Sequence, residues 1–157
     1  EYINFVKNKN SKTIKYFFQI TYGVMNVENL LDMFIDFAKE GFLTKHCYVN
    51  FQMIFQPIEL SLGAIPDEIK NKVIHKVTSE EYINEIKAQD IYFNTDNQID
   101  YGELIDSFKM FQSQLESVEF NQTLLQGLYE GREFTLLDKL RGESMLENIP
   151  DYRQYYK

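Results

Sequence analysis

The chain has 157 residues, 44% hydrophobic and 15% aromatic, with 24 acidic against 16 basic side chains and a net charge near -8. A length of this order builds a domain with its own core, and the aromatic content excludes an intrinsically disordered chain. The acidic balance leaves no basic patch to neutralise phosphates, which argues against nucleic acid and anionic membranes as partners.

No apolar run approaches the roughly 18 residues of a membrane-spanning helix, and residues 1–20 lack a signal-peptide pattern. The single cysteine, Cys47, cannot build a disulfide framework and fits a reducing, cytoplasmic compartment. The chain opens on Glu1 rather than Met, which reads as a chain either processed or cut from something longer.

Residues 14–22, Ile-Lys-Tyr-Phe-Phe-Gln-Ile-Thr-Tyr, are β-branched and aromatic in a run too short for a stable helix; a strand is expected. Gly23 permits a turn. Asn26 stands where an N-cap belongs, its amide oxygen able to accept from the free N–H groups of the next turn. Val27, Leu30, Leu31, Phe34, Ile35 and Ala38 follow at helical spacing, with Asp32, Asp36, Lys39 and Glu40 opposite and Gly41 as the stop. A second strand covers Tyr48 to Gln56, and Pro57 ends it. A crossover of this length makes the two strands parallel. Pro66 opens another helix, with Asp67 and Glu68 in its first turn and Lys70, Lys72 and Lys76 later, in the order that suits the helix dipole. Ile69, Val73 and Val77 mark its buried face.

Strand signals stop beyond Val77. Thr78 and Glu81 have capping-box spacing and open a short helix through Ala88. A polar loop runs from Asp90 to about Asp100. Helical patterns then cover 101–117, with Leu104, Phe108, Phe111 and Leu115 inward, followed by 121–141 and 143–149, closed by Pro150. The chain thus divides near residue 78 into an α/β half (1–77) and an all-helical half (78–157).

Successive strand side chains point to opposite faces, so each strand has a greasy side and a polar one. Tyr16, Phe18, Ile20 and Tyr22 share one face of the first strand; Lys15, Phe17, Gln19 and Thr21 share the other. In the second, Val49, Phe51, Met53 and Phe55 oppose Asn50, Gln52, Ile54 and Gln56. Amides and a hydroxyl both donate and accept, which suits a polar ligand such as a nucleoside or amino-acid group inside a barrel. An open face in water is the plainer reading. Ligands on parallel sheets bind at the carboxyl ends of strands, so Thr21 to Asn26 and Gln52 to Pro57 are the positions of interest.

The segment Tyr92 to Glu103 offers Asn94, Asp96, Asp100 and Glu103 at four ligand positions of a calcium loop, with Ile99 at the eighth. Tyr92 replaces the first carboxylate and Asn97 the turn glycine, so a capped loop with Asp100 opening a helix is the competing reading. His46, Cys47 and His75 have no zinc spacing, and no nucleophile-elbow, phosphate-loop or dinucleotide motif is present. No metal ligand and no catalytic residue is assigned.

The order of the segments nevertheless resembles a known family. Gln19-Ile-Thr-Tyr-Gly-Val-Met-Asn26-Val27 resembles the fifth strand and following helix of radical SAM barrels. Gln56-Pro57-Ile-Glu-Leu-Ser-Leu62 and Ile65-Pro66-Asp-Glu-Ile-Lys70 are similar to their sixth strand and the segment after it. Leu137-Asp-Lys-Leu-Arg-Gly142 with Ile149-Pro-Asp-Tyr152 is similar to the close of the twitch-type subgroup, Asp151 standing for a glutamate. The resemblance spans residues 14–77 and 134–153. It implies a partial parallel (β/α) barrel fragment followed by an all-helical, twitch-derived tail. It also implies a full-length enzyme using a [4Fe–4S] cluster and S-adenosylmethionine for hydrogen abstraction from an unknown substrate.

The cluster-binding CxxxCxxC loop would lie in the missing N-terminal part of the barrel, the partner this chain requires, and one cysteine cannot replace it. The isolated chain is then inactive. Gln19, Thr21, Gln52 and Asn26 become the candidate cofactor-binding residues. Two other readings stand beside this one: a non-catalytic cytoplasmic α/β-plus-helical interaction module, and a degenerate EF-hand-like calcium binder.

Overall fold

The structure, a computed structural model, describes residues 15–130, 140, 142 and 152–155. Two strands, β1 (Tyr16–Tyr22) and β2 (Cys47–Met53), pair in parallel with Tyr16 opposite Cys47 and Tyr22 opposite Met53. The expected alternation holds: Ile20, Tyr22 and Phe51 are buried, whereas Phe17, Gln19, Thr21, Asn50 and Gln52 are exposed. β2 ends at Met53 rather than Gln56. The Ile54 N–H still donates to the Tyr22 carbonyl at 2.8 Å, after which the chain turns away into 3₁₀ turns at Ile58–Leu60 and Leu62–Ala64.

Helix α1 (Leu30–Lys39) makes the crossover and buries Leu30, Leu31, Phe34 and Ala38. It starts later than expected, because residues 24–29 form turns and Asn29, not Asn26, precedes the first helical residue. Its other end follows the sequence. Gly41 takes a φ of 70°, its N–H donates to Ala38 O at 3.1 Å, and the Phe42 N–H donates to Phe37 O at 2.8 Å. That pair of bonds is a Schellman motif, and Phe37 and Phe42 supply its apolar contact, edge to face at 5.7 Å.

Further α-helices follow, α2 (Asp67–Val77), α3 (Glu80–Gln89), α4 (Tyr101–Glu116) and α5 (Gln122–Glu130), and Arg153–Tyr155 form a 3₁₀ turn. Pro66 does precede α2, and Val73 and Val77 are buried with Ile74. Lys70 does more than complement the helix dipole. It is 3% exposed, pairs with Asp67 at 2.8 Å and donates to the Val118 carbonyl, tying α2 to the chain beyond α4. The cap of α3 is Ser79, one residue past the expected Thr78, and its hydroxyl accepts from the Tyr82 N–H at 3.2 Å. Thr78 is committed to closing α2. Asp100 caps α4 as expected, accepting from Gly102 and Glu103 N–H groups at 3.0 and 3.2 Å. The expected helical patterns through 131–141 and 143–149, and Pro150, fall outside the described residues apart from Leu140 and Gly142.

Helices α1 and α4 meet over the greasy face of the sheet. Phe51 stacks on Phe111 at 4.7 Å, and Phe34 meets Phe108 edge to face at 5.0 Å. Phe108 also touches the Tyr82 ring from α3. Two buried hydroxyls stitch these layers: Tyr82 donates to Leu31 O at 2.7 Å and Tyr22 to Gln114 Oε1 at 2.6 Å. The two sequence halves therefore contribute to one core. The fold is mixed α/β, and among the described residues its sheet holds these two strands and does not close into a barrel. No described helix is long and apolar enough to cross a membrane.

Candidate functional site

The helices occupy one side of the sheet and the amides the other. Phe17, Gln19 and Thr21 of β1 lie beside Tyr48, Asn50 and Gln52 of β2 in strict register. Thr21 and Gln52 are direct neighbours near the carboxyl ends, and the Gln19 amide donates to Gln52 Oε1 across the strands. Three of the four residues expected at the site, Gln19, Thr21 and Gln52, are thus brought together on one exposed surface. Asn50, on the same face, joins them. At the other end Lys15 donates to the Tyr48 hydroxyl at 2.7 Å and sits over its ring.

Asn26 acts differently. Its side-chain oxygen accepts from the Gly23 N–H at 3.0 Å and its amide donates to the Thr21 carbonyl at 3.1 Å. Both bonds run back toward β1, so Asn26 braces the exit of the strand instead of capping α1. Gly23 is required at this exit. A Cβ there would stand 2.1 Å from the Leu60 carbonyl oxygen, which also accepts from the Val24 N–H at 3.1 Å. The 3₁₀ turn after β2 is thereby pressed against the loop after β1, holding the two strand ends in line.

Cys47 is half-buried, and burial pushes its thiol up to about 12, so it stays protonated at neutral pH. One protonated thiol does not fit the ligand set of an iron–sulfur cluster. The amide face is exposed and carries neutral groups that both donate and accept.

The 90–100 loop is organised by a residue that sequence reasoning passed over. Asp90 is 6% exposed. Its carboxylate accepts from the N–H groups of Tyr92 at 2.8 Å and Ile99 at 3.4 Å, and from the Tyr101 hydroxyl at 2.8 Å. Nothing local distinguishes Asp90 from its acidic neighbours; its partners lie up to a whole loop away. Burial and this carboxylate push the Tyr101 hydroxyl well above the usual tyrosine range. Among the described residues no group of three or more His, Cys, Asp or Glu side chains is gathered as metal ligands.

Compared with protein-family models, curated proteins and solved structures, the chain matches none.

Proposed function

We propose that the chain is the C-terminal part of a radical SAM enzyme, with residues 15–77 contributing two strand–helix units of a partial (β/α) barrel. The observation that carries this reading is the two-sided sheet: helices on the greasy side, as on a barrel exterior, and an aligned amide surface on the side that would face inward. Among the described residues the sheet has two parallel strands and one exposed face, an arrangement unusual on its own, which supports a larger sheet in the full protein. The rest of the barrel would hold the [4Fe–4S] cluster, which with S-adenosylmethionine supplies the radical chemistry of that class. In this arrangement Gln19 and Gln52 hydrogen-bond the hydroxyls or base edge of the cofactor, Thr21 adds a hydroxyl beside them, and Asn26 holds the end of β1 in place. Substrate specificity lies with other parts of the protein.

The test is made on the protein encoded by the whole reading frame. Gln19→Leu combined with Gln52→Leu is expected to weaken S-adenosylmethionine binding by about tenfold or more, from two lost hydrogen bonds. Both positions are exposed, so the thermal midpoint should hold. Equal affinity in wild type and double variant removes the site. A full protein without a CxxxCxxC loop and without cofactor binding removes the class.

A non-catalytic interaction module is the second reading. The shared core of the two sequence halves favours it, since such a chain should melt alone as one cooperative unit.

A further inference from the structure

A groove of about 240 Å³ lies beside β2. Its wall includes three consecutive residues, Cys47, Tyr48 and Val49. Consecutive side chains of a strand point to opposite faces, so a groove that touches all three runs along the strand's edge. No β1 residue lines it, which makes it the edge turned away from β1. Opposite stands the start of α4: Leu104 forms part of an apolar floor, and Glu103 and Asp106 form an acidic rim. Asp100 is also at the rim, but its carboxylate is occupied in capping the helix. Among the described residues β2 has no second strand partner, so the backbone groups of alternate residues face away from β1; beside the groove these belong to Cys47 and Val49, of which the Cys47 N–H already donates to the Thr44 carbonyl at 2.9 Å.

We propose that the β2 edge and the α4 groove form a docking site for an extended, basic peptide segment, added to the sheet as a third strand. Backbone pairing with β2 gives affinity, and the groove reads one side chain of the incoming strand. The rim selects its chemistry. A lysine or arginine can lay its aliphatic stem on Leu104 and bring its charge to Glu103 and Asp106. The cations already present do not block this. Lys109 pairs with Asp106 at 3.0 Å, but both partners are largely exposed and such pairs exchange readily. Lys15 lies near Glu103, yet its ammonium is directed to the Tyr48 hydroxyl. The net charge of the chain steers a basic segment inward. The site does not depend on the barrel reading, in which a preceding strand takes the outer edge of β1 and leaves that of β2 open.

Fluorescence anisotropy with the full 157-residue chain tests the site. The probe is a labelled synthetic peptide of β2's length with valine and lysine alternating. Saturable binding is expected, with affinity falling as salt rises. Glutamate in place of the lysines should abolish it, and backbone N-methylation at alternate residues, which removes strand pairing, should do the same. Glu103→Gln with Asp106→Asn should lower affinity by up to about tenfold without moving the melting temperature. No saturable binding of the lysine peptide overturns the proposal. So does equal binding of the lysine, glutamate and N-methylated peptides, which marks non-specific adhesion. Binding indifferent to the double variant places the peptide elsewhere.

Discussion

Replacing Phe108 with alanine is expected to cost about 3–5 kcal/mol of stability, a large part of the margin of an ordinary domain. The residue is fully buried and touches three elements at once: Phe34 of α1 at 5.0 Å, Phe51 of β2 at 6.3 Å and Tyr82 of α3 at 5.9 Å. Because these rings belong to different layers, none can collapse into the space left without pulling its own element off the others. The cavity term then adds to the lost transfer energy. Urea unfolding measures the loss as a lower midpoint with an unchanged slope. Phe108→Leu, which keeps most of the volume, should cost much less. A loss below about 1 kcal/mol for the alanine variant would show that the helices after residue 78 are not anchored through this ring.

Gly23→Ala is expected to destabilise by about 3 kcal/mol, the upper range for overpacking, although it adds a single methyl group. The methyl would meet the Leu60 carbonyl oxygen at 2.1 Å and the Ile54 Cδ1 at 3.1 Å. A main-chain carbonyl cannot step aside as a side-chain tip can, so the 3₁₀ turn must move and the Val24–Leu60 hydrogen bond goes with it. Gly63→Ala is the matched control. There the closest atom, at 2.8 Å, is a terminal methyl of Leu124, which can rotate away. The alanine at 23 should lower the melting temperature clearly more than the alanine at 63. Equal losses would refute the close packing of the two strand exits, and with it the alignment of Thr21 with Gln52.

Elements whose signal is local were legible in the sequence. The alternation of Phe17, Gln19 and Thr21 with Phe18, Ile20 and Tyr22 placed the faces of β1, and the spacing of Leu104, Phe108, Phe111 and Leu115 placed the buried stripe of α4. Gly41 ended α1 because a residue at positive φ is what the Schellman geometry demands. Errors arose where two similar groups compete for one task. Thr78 and Ser79 both carry a hydroxyl beside the α3 start, and the closing of α2 decides between them. Asn26 has the right chemistry for a cap, but the Gly23 N–H and Thr21 carbonyl claim its amide first. The burial of Lys70 was not legible, because nothing in its neighbourhood in the chain announces the Val118 carbonyl.

The candidate site was legible in the same measure. That Gln19, Thr21 and Gln52 share one face follows from strand periodicity and parallel pairing; the register that sets Thr21 beside Gln52 does not, since a slip of two residues keeps the same faces. The groove beside β2 was not, since it arises from packing between segments fifty or more positions apart.

Asp90 has a consequence for how the chain can vary. One carboxylate holds the start of the loop at Tyr92 and its end at Ile99 and Tyr101, so the span between is closed at its base like a purse. What happens at the tip, around Asn94 to Asn97, is then of little concern to the core, and each doubling of such a loop adds only about 0.6 kcal/mol of closure entropy. The tip is a place where extra residues, whether an evolutionary insertion or an engineered tag, can enter the molecule at small expense.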